Sequence, residues 1–418
     1  MSDRSALTAL LVVSALTGCG SSGNGVSHGM MDAGTSSSGG ASGGASGAGN
    51  SGAAGAPATT PRPVVGSCSA LPTSGMWEEI TPQSVIDSQA LVLDPVNVGT
   101  VWLGASTSGT SPTGTRLSGP GGVYKSTDCG ATWTHVNTGM NGAAIDMASI
   151  WSLVVDYTDP SVIYVVGAYG PQGLWKSTNG GVDWVQLFPS TSQFAQTVAQ
   201  NWVGSVSMDP VNHLHLVVGT HNNCTGDFAP TCGAESSDGG MTWTLFKTTF
   251  LSAWAEQTGP YVIDDKTWVY ATVFNGLWVT QDHGATWKNV TPANVLGVTG
   301  GEYTHRPIWR DTSGAFYLPS IETGGVLTST DGVTWSLLAG APGGDPVGFT
   351  IAGGRAYLGD RNSLAYRVSS SVPPTDWTSL PSPAASTGEG AVYLEYDDTH
   401  HVLYSSNFEG RLWRLVTP

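Results

Sequence analysis

One short stretch recurs five times along the chain and limits what the chain can fold into. The copies are KSTDCGATW at Lys125–Trp133, STNGGVDW at Ser177–Trp184, SSDGGMTW at Ser236–Trp243, TQDHGATW at Thr280–Trp287 and STDGVTW at Ser329–Trp335. They share the frame S/T-x-D/N-x-G-x-T/D-W, and consecutive copies begin 44 to 59 residues apart. A period of this length indicates a propeller, a solenoid or another array of repeated units.

The residue types of this stretch predict a tight turn between two β-strands. A short apolar run precedes it in four of the five copies, as in GLWKS and GLWVT. The Asp or Asn side chain can accept hydrogen bonds from nearby backbone amides, the Ser or Thr hydroxyl bonds more weakly, and the Gly tolerates a positive φ. The tryptophan then starts the next strand, where its indole can pack against a neighbouring unit. We therefore expect a hairpin that is fastened by its own side chains.

A second element precedes each turn and completes the repeated unit. It consists of an apolar strand, a turn that often contains Asp-Pro, and another apolar strand, as in ALVLDPVNVGTVWLGA. Seven such segments start at Ala90, Ser152, Ser205, Tyr261, Pro307, Phe349 and Val392. Seven four-stranded meanders predict an all-β fold, a seven-bladed β-propeller of four-stranded antiparallel blades.

The two ends of the chain are expected to build one blade together. The seventh unit stops after its third strand, Arg411–Val416, and no Trp strand follows it. Near the other end, Gly75–Thr81 (GMWEEIT) resembles the Trp strands of the other units. We expect this N-terminal strand to complete the last blade, because closing the ring removes an open sheet edge.

The first 66 residues are expected to lie outside the propeller, which then occupies residues 67–418. Ala6–Leu16 is a short apolar run that ends in LTGC, and this tetrad resembles a bacterial lipobox. The resemblance implies a lipoprotein signal peptide over residues 1–19, lipidation of Cys19, and an exported chain anchored at the bacterial outer membrane or cell surface. The alternative is an ordinary cleaved signal. Residues 20–66 are rich in Gly, Ser and Ala, which predicts a flexible tether.

Four cysteines remain beyond Cys19, and an even number in an exported chain predicts two disulfides. Cys224 and Cys232 bracket the single loop CTGDFAPTC and are paired on that ground. That pairing leaves Cys68 for Cys129, a bond that would pin the entry segment to the first repeated turn. A metal site is the alternative, but no CxxC spacing supports it. We therefore expect no metal site built from these cysteines. No cofactor is expected either, and a structural ion in the central channel is left open.

The charge balance narrows the choice of partners. The chain has 15 Lys and Arg against 31 Asp and Glu, with a formal net charge of −16. This balance disfavours nucleic acid and an anionic membrane surface as the main partner. No internal apolar run reaches the roughly 18 residues of a membrane span. Contact with a membrane is thus expected only through the lipid anchor, and the protein is expected to be a monomer.

The two-part repeat resembles the Asp-box (BNR) repeat superfamily over residues 75–416. This superfamily includes sialidases, xyloglucanase-type glycoside hydrolases, the sortilin ectodomain and photosystem II assembly-factor propellers. The resemblance implies the fold, but it does not select one activity, because one propeller hosts many functions.

Three departures from these families limit the activities expected. Gly75-Met76-Trp77 stands where a sialidase has Arg-Ile-Pro, and arginines are few, so sialidase activity is not expected. Xyloglucanase-type enzymes use two propellers with a cleft between them, and this sequence predicts one. The cysteine-rich domain that follows the sortilin propeller is absent from the sequence.

Loop lengths distinguish the two faces of the predicted ring. Successive turns of a meander alternate between faces, so both kinds of Asp-containing turn share one face. The other face carries longer connections, such as Ser106–Gly121, Asn137–Ile150 and Phe188–Asn201. We call it the loop-rich face and expect the functional site there, since binding residues concentrate on loops held by a rigid scaffold. The aspartates of the repeat are then turn fasteners, not catalytic groups or calcium ligands.

Polar and aromatic residues on the loop-rich face are the candidates for the site. The predicted substrate-binding residues are Trp151, Tyr169, Trp202, Asn222, Asn223, Trp254 and Glu256. The predicted catalytic residues are His221, Tyr303, His305, Arg306, Glu302 and Asp146. Rings that cover a sugar face, beside amides and acids that bond its hydroxyls, predict a polysaccharide or glycoconjugate as the partner. For Trp151 and Trp202 the alternative is packing between blades.

Two chemistries suit these residues, and one alternative involves no chemistry. A glycoside hydrolase needs two carboxylates across the scissile bond, for which the candidates are Asp146, Glu256, Glu302, Glu322 and Glu389. A polysaccharide lyase needs a His or Tyr base and a cation or amide that neutralises the uronate, for which the candidates are His221, Asn222, Tyr303, His305 and Arg306. The alternative is a non-catalytic propeller that binds proteins or supports assembly on the envelope.

Overall fold

The described part of the chain contains seven four-stranded antiparallel sheets and two two-stranded ones, which confirms the predicted seven-bladed β-propeller. The structure is a computed structural model. It describes residues 64–68, 70–110, 116–188, 191–198, 203–221, 223–248, 250, 257–272, 275–293, 295, 308–320, 325–344, 346–361, 364–383, 390–407 and 411–418. In blades 1 to 6 the strands pair in chain order, as expected of meanders.

The strands are numbered along the chain. Two precede the first blade: β1 (Val64–Val65) and β2 (Trp77–Glu79). Blade 1 and its loops contain β3 (Ser88–Leu93), β4 (Asn97–Val98), β5 (Val101–Ala105), β6 (Ser108–Thr110), β7 (Arg116–Ser118), β8 (Val123–Ser126) and β9 (Thr134–His135). Blade 2 contains β10 (Ser149–Val155), β11 (Ile163–Ala168), β12 (Gly173–Ser177) and β13 (Val185–Gln186). Blade 3 contains β14 (Val203–Met208), β15 (Leu216–Thr220), β16 (Cys232–Ser236) and β17 (Thr244–Lys247).

The remaining strands build blades 4 to 7. Blade 4 contains β18 (Gln257–Val262), β19 (Trp268–Thr272), β20 (Gly276–Thr280) and β21 (Lys288–Asn289). Blade 5 contains β22 (Trp309–Arg310), β23 (Phe316–Ser320), β24 (Gly325–Ser329) and β25 (Ser336–Leu337). Blade 6 contains β26 (Pro346–Ala352), β27 (Arg355–Asp360), β28 (Tyr366–Ser369) and β29 (Thr378–Leu380). Blade 7 contains β30 (Ala391–Asp397), β31 (Val402–Asn407), β32 (Leu412–Val416) and, as its fourth strand, β2.

The second strand of most blades is buried on both of its faces. In β5, β11, β15, β19 and β31 every residue is buried. These strands read as continuous apolar runs such as VWLGA and IYVVGA, because side chains on both faces pack against neighbouring blades. The fourth strands are short and more exposed, as in β9 and β21, because they lie on the outside of the ring.

The ring closes through the N-terminal strand, as predicted. Strand β2 pairs antiparallel with β32, with Glu78 opposite Arg414 and Trp77 opposite Leu415. Arg414 is 1% exposed, and its guanidinium donates to the Glu78 carboxylate at 2.7 and 2.8 Å. It also donates to the backbone carbonyls of Cys129 and Ala70, each at 2.7 Å. One buried side chain thus joins β32 to β2, to the entry segment and to the first turn of blade 1.

The entry segment is held to blade 1 in two further ways. Strand β1 runs parallel to β4, with Val64 opposite Asn97, so paired structure begins three residues before the predicted boundary at residue 67. The predicted disulfide between Cys68 and Cys129 is confirmed, with the two Cα atoms 5.2 Å apart. The second predicted disulfide, Cys224 with Cys232, is confirmed as well. The signal peptide, the tether up to residue 63 and Cys19 lie outside the described residues.

The repeated turn is fastened by its own side chains, as predicted. In the first copy the Ser126 hydroxyl donates to Asp128 Oδ1 at 2.7 Å and accepts from the Gly130 amide at 2.7 Å. Asp128 also accepts from the amide and the hydroxyl of Thr132, at 2.8 and 2.6 Å. The turns around Asp238 and Asp282 repeat these bonds. The aspartates of these turns are therefore occupied by structural hydrogen bonds.

Among the described residues, helical structure is limited to short segments between strands. They are α1 (Gly142–Asp146), α2 (Gln193–Val198) and a 3-10 turn at Gly226–Phe228. Neither α1 nor α2, nor any other helix in the described part of the chain, has the length and apolar character needed to cross a bilayer.

Candidate functional site

Three of the predicted site residues meet on the loop-rich face. Trp151 lies on β10, Tyr169 follows the end of β11, and His221 follows the end of β15. The ring centroids of Trp151 and Tyr169 are 5.2 Å apart, and those of Trp151 and His221 are 4.9 Å apart. Both pairs meet edge to face, a favoured geometry for aromatic rings. We call this group of three residues the aromatic cluster.

The members of the cluster differ in exposure. Tyr169 is 59% exposed, whereas Trp151 is 8% exposed and packs against Ala168. Tyr169 also has a φ of 48°, an uncommon backbone conformation for a residue with a side chain. Tyr169 thus presents its ring to solvent, and Trp151 supports it from below. The burial of Trp151 favours the alternative that this residue packs between blades.

His221 is the buried titratable group of the cluster. It is 7% exposed. Burial lowers the pKa of His221 to about 4. Its imidazole is therefore neutral at physiological pH. Asn223, predicted to bind substrate, is exposed and directly precedes the disulfide-bonded Cys224.

Asp146 lies on the same face but has different partners. It ends α1, and its Oδ1 accepts from Asn137 Nδ2 and contacts His135 Nε2, each at 2.6 Å. His135 and Asp146 are both about one-third exposed, so this pair is open to solvent. The bonds of Asp146 link it to blade 1 rather than to the aromatic cluster. Sequence reasoning missed His135, which stands two residues after the tryptophan of the first repeated turn.

The other predicted site residues lie outside the described residues. They are Trp202, Asn222, Trp254, Glu256, Glu302, Tyr303, His305 and Arg306. Glu322 and Glu389 also belong to this group.

The centre of the ring is narrow. The Tyr393 hydroxyl on β30 donates to the backbone carbonyl of Trp151 on β10 at 3.1 Å, so a bond joins the innermost strands of blades 7 and 2. A mainly apolar cavity of about 220 Å³ lies among the innermost strands, with Trp309, Tyr393 and Glu395 in its wall. The aromatic cluster thus stands beside a constricted axis.

A second group of titratable side chains lies on the turn face, between blades 3 and 4. His215 bonds Asp209 through Nδ1 at 3.0 Å and Glu235 through Nε2 at 3.1 Å. Glu235 also bonds His283 of blade 4 at 2.8 Å. Burial alone would lower the pKa of His215, but the hydrogen bonds to the two carboxylates outweigh it and raise the pKa to about 9.

The same group includes metal-binding atoms. Asp209, His215 and Asp265 each offer one ligand atom, and these atoms lie within 4.8 Å of one another. His215 is however held as an imidazolium by its two carboxylate neighbours, and a metal would have to displace that proton. The arrangement therefore serves as an ion-paired seam between two blades.

Comparison with known proteins gives relatives for parts of the chain. No protein-family model matches it. A xyloglucanase of Hypocrea jecorina (strain QM6a) is 26% identical over an alignment of 200 residues, and the match covers 42% of this chain and 23% of that enzyme. A xyloglucanase of Paenibacillus sp. is 27% identical over an alignment of 244 residues, and the match covers 52% of this chain and 22% of that enzyme. The chain thus spans less than a quarter of the length of these curated relatives.

Solved structures show the same architecture. The GH74 xyloglucanase from Xanthomonas campestris matches 81% of this chain and 53% of its own, with a TM-score of 0.55 at 13% identity. YCF48 bound to D1 peptide matches 84% of this chain and 100% of its own, with a TM-score of 0.52 at 14% identity. At such identities the likeness concerns the fold alone. The chain therefore shares its β-propeller fold with a GH74 xyloglucanase and with YCF48.

Proposed function

We propose that this chain is a carbohydrate-active propeller that binds a polysaccharide on its loop-rich face and cleaves it. The observation that carries the proposal is the exposed Tyr169 ring, held against Trp151 and next to His221. The two xyloglucanase relatives support a β-glucan of the xyloglucan type as the substrate.

The physical argument starts from Tyr169. An exposed ring in a fixed orientation can cover the apolar face of a pyranose, and the buried Trp151 beneath it limits its movement. The neighbouring Asn223 is exposed and can bond sugar hydroxyls. A rigid aromatic platform beside an amide is suited to a sugar chain that lies across the loop-rich face.

Cleavage as a glycosidase requires two carboxylates. Asp146 is held in place on the loop-rich face by Asn137 and His135, and we propose it as one of the pair. The sequence offers Glu256, Glu302, Glu322 and Glu389 for the second carboxylate and singles out none of them. The neutral imidazole of His221 would instead suit a lyase base, so the products decide between the two reactions.

The test is to incubate the full chain with xyloglucan, mixed-linkage β-glucan and polygalacturonate. We expect new reducing ends from xyloglucan and no absorbance of unsaturated uronates. Tyr169→Ala should weaken binding about tenfold, from the loss of roughly 1.4 kcal/mol of ring contact, whereas Tyr169→Phe should bind like the wild type. The absence of any product and of any retention on the three polysaccharides would rule the proposal out.

A second candidate function is protein binding without catalysis. The bond between Tyr393 and Trp151 favours it, because a narrow axis leaves less room for a sugar chain than an open channel does. In that case all three polysaccharides remain intact and unbound, while Tyr169→Ala reduces the capture of envelope proteins.

We also propose that the protein is exported and anchored to a bacterial membrane through Cys19, as the lipobox-like LTGC tetrad indicates. Replacing the Cys19 thiol removes the group that would carry the lipid. Since the lipid is the membrane contact expected for this protein, the chain should then leave the membrane. Cys19→Ser is therefore expected to move the protein from the membrane fraction to the soluble fraction. A variant that remains with the membranes would contradict lipidation at this position.

A further inference from the structure

The outer surface of the ring carries a groove between blades 7 and 1, away from the aromatic cluster. Strand β2 forms one side with Glu78 and Glu79, and the first repeated turn forms the other side with Trp133. Arg414 of β32 forms part of the inner wall. The groove has a volume of about 660 Å³, within the range of small-molecule binding sites.

The corresponding groove between blades 4 and 5 is much smaller, about 280 Å³. The strand pairing shows that the two grooves correspond. Arg414 on the third strand of blade 7 pairs with Glu78 on the fourth, and Val279 on the third strand of blade 4 pairs with Lys288 on the fourth. Each groove lies beside the fourth strand of one blade and reaches the repeated turn of the next. That turn contributes Trp133 to the larger groove and Val333 to the smaller one, which is otherwise lined by blade 4. The groove between blades 7 and 1 is therefore larger than its counterpart, and it lies where the N-terminal strand pairs with the C-terminal strand.

The tryptophan in the large groove differs from its counterparts. In four other copies of the turn the indole N–H donates to a glycine carbonyl three residues earlier, at 2.8 to 3.1 Å: these are Trp184, Trp243, Trp287 and Trp335. Trp133 Nε1 is buried and has no acceptor among the described residues. The copy of the turn that lines the groove therefore carries a hydrogen-bond donor that no described residue accepts from.

Other side chains of the groove are suited to sugar hydroxyls. Gln83 and Ser84 are exposed at its rim, and the Ser84 hydroxyl bonds the Tyr124 hydroxyl at 3.0 Å. Gln83 offers both a donor and an acceptor. With the ring of Trp133, Gln83 and Ser84 give the groove an aromatic surface beside polar side chains.

The charges of the groove select against anionic ligands. Arg414 is neutralised by Glu78, and His135 is paired with Asp146. The Glu79 carboxylate also lines the groove. Its basic neighbour is Arg411, whose Nε lies 3.7 Å from Glu79 Oε1 and whose side chain is 44% exposed. Among the described lining residues every basic group thus faces a carboxylate, so a phosphate or a uronate gains little there.

We propose that this groove is a second glycan-binding site, one that takes a short neutral oligosaccharide. The site requires neither the aromatic cluster nor cleavage at the loop-rich face. A bound oligosaccharide would touch the N-terminal strand β2 and the first turn of blade 1 together. Binding therefore also stabilises the closed ring, by the usual linkage between a ligand and the state that binds it.

The test uses the full chain and cellotetraose as the probe, titrated by calorimetry. Gln83→Trp places a large side chain at the rim of the groove, and we expect it to weaken binding at this site at least tenfold. Gln281→Trp makes the same change in the smaller groove between blades 4 and 5, where Gln281 is also exposed, and should bind like the wild type. Cellotetraose should also raise the melting temperature of the wild type and of Gln281→Trp.

Two further variants serve as controls for the titration. Gln83→Ala removes the amide without adding bulk and should weaken binding severalfold, so the test survives if the tryptophan variant folds poorly. Because cellotetraose can also occupy the loop-rich face, the Gln83 variants are repeated in a Tyr169→Ala background. The binding that remains there should fall by the same factor, which separates a failure of the groove from a failure of the loop-rich face. Equal affinities for wild type and both Gln83 variants, or no binding of cellotetraose at all, would overturn the proposal.

Discussion

Replacing Arg414 by methionine is expected to lower the free energy of unfolding by about 3 kcal/mol. The side chain is 1% exposed and donates to Glu78 and to the carbonyls of Cys129 and Ala70. Methionine fills a similar volume but leaves these acceptors without their donor, and each buried acceptor left unpaired costs roughly 1–3 kcal/mol. Glu78 is 43% exposed, so water can hydrate its carboxylate once Arg414 is gone. The expected loss in the free energy of unfolding therefore lies at the lower end of the range for breaking a buried ion pair.

The matched control is Arg411→Met on the same segment of chain. Arg411 is 44% exposed and stands 3.7 Å from Glu79, so it is an exposed pair worth less than about 1 kcal/mol. Arg414→Lys should fall between the two, because lysine keeps the charge but cannot bond three partners with a planar fork. Urea unfolding followed by tryptophan fluorescence measures all three, and equal midpoints for Arg414→Met and Arg411→Met would disprove the role of Arg414.

The sequence was sufficient to predict the ring and its closure, because both depend on local signals. The S/T-x-D/N-x-G turn occurs where side chains bond their own backbone, so each copy can be recognised without its neighbours. The N-terminal strand was recognisable because Trp77 occupies the same place in its strand as Trp133 does in blade 1. The disulfide between Cys68 and Cys129 followed from pairing the other two cysteines first.

The site was predicted only as a set of residues on one face. Trp151, Tyr169 and His221 come together because each stands where an inner strand meets the loop-rich face, and strand positions can be inferred from the repeat. The same reasoning placed Asp146 on that face but could not show that it bonds His135 and Asn137. Loop conformation decides such pairs, and no periodic pattern specifies it.

Contacts between blades were beyond sequence reasoning. The groove between blades 7 and 1 combines Glu78, Trp133 and Arg414, which come from opposite ends of the chain. The bond between Glu235 and His283 likewise joins residues of two successive blades. Neither group has a spacing or a motif of its own, because the ring brings their members together only after every blade has formed.

Raising the pH from 6.5 to about 9 is expected to destabilise the protein through His215. The carboxylates of Asp209 and Glu235 face its two ring nitrogens, and the His283 ring lies beyond Glu235. These contacts raise the pKa of His215 from 6.5 to about 9, so the folded state holds a proton that the unfolded state releases. The stabilisation is therefore complete below pH 6.5 and is lost as the pH rises through 9.

The expected loss is large for a single side chain. The difference between 6.5 and about 9 corresponds to about 3 kcal/mol, and His215 is 1% exposed, so solvent screens the interaction little. Unfolding by urea at pH values between 6 and 9.5 measures the change. His215→Gln should be less stable at pH 6.5 and should show a flatter dependence on pH, because the titrating group is gone.

Glu235→Gln separates the contributions of the two carboxylates. It removes one acceptor charge and leaves Asp209, so the pKa of His215 should fall and the loss of stability should begin at lower pH. The same change frees His283 from its bond to blade 3. If wild type and His215→Gln lose stability in parallel over this range, the titrating group is not His215 and the prediction is wrong.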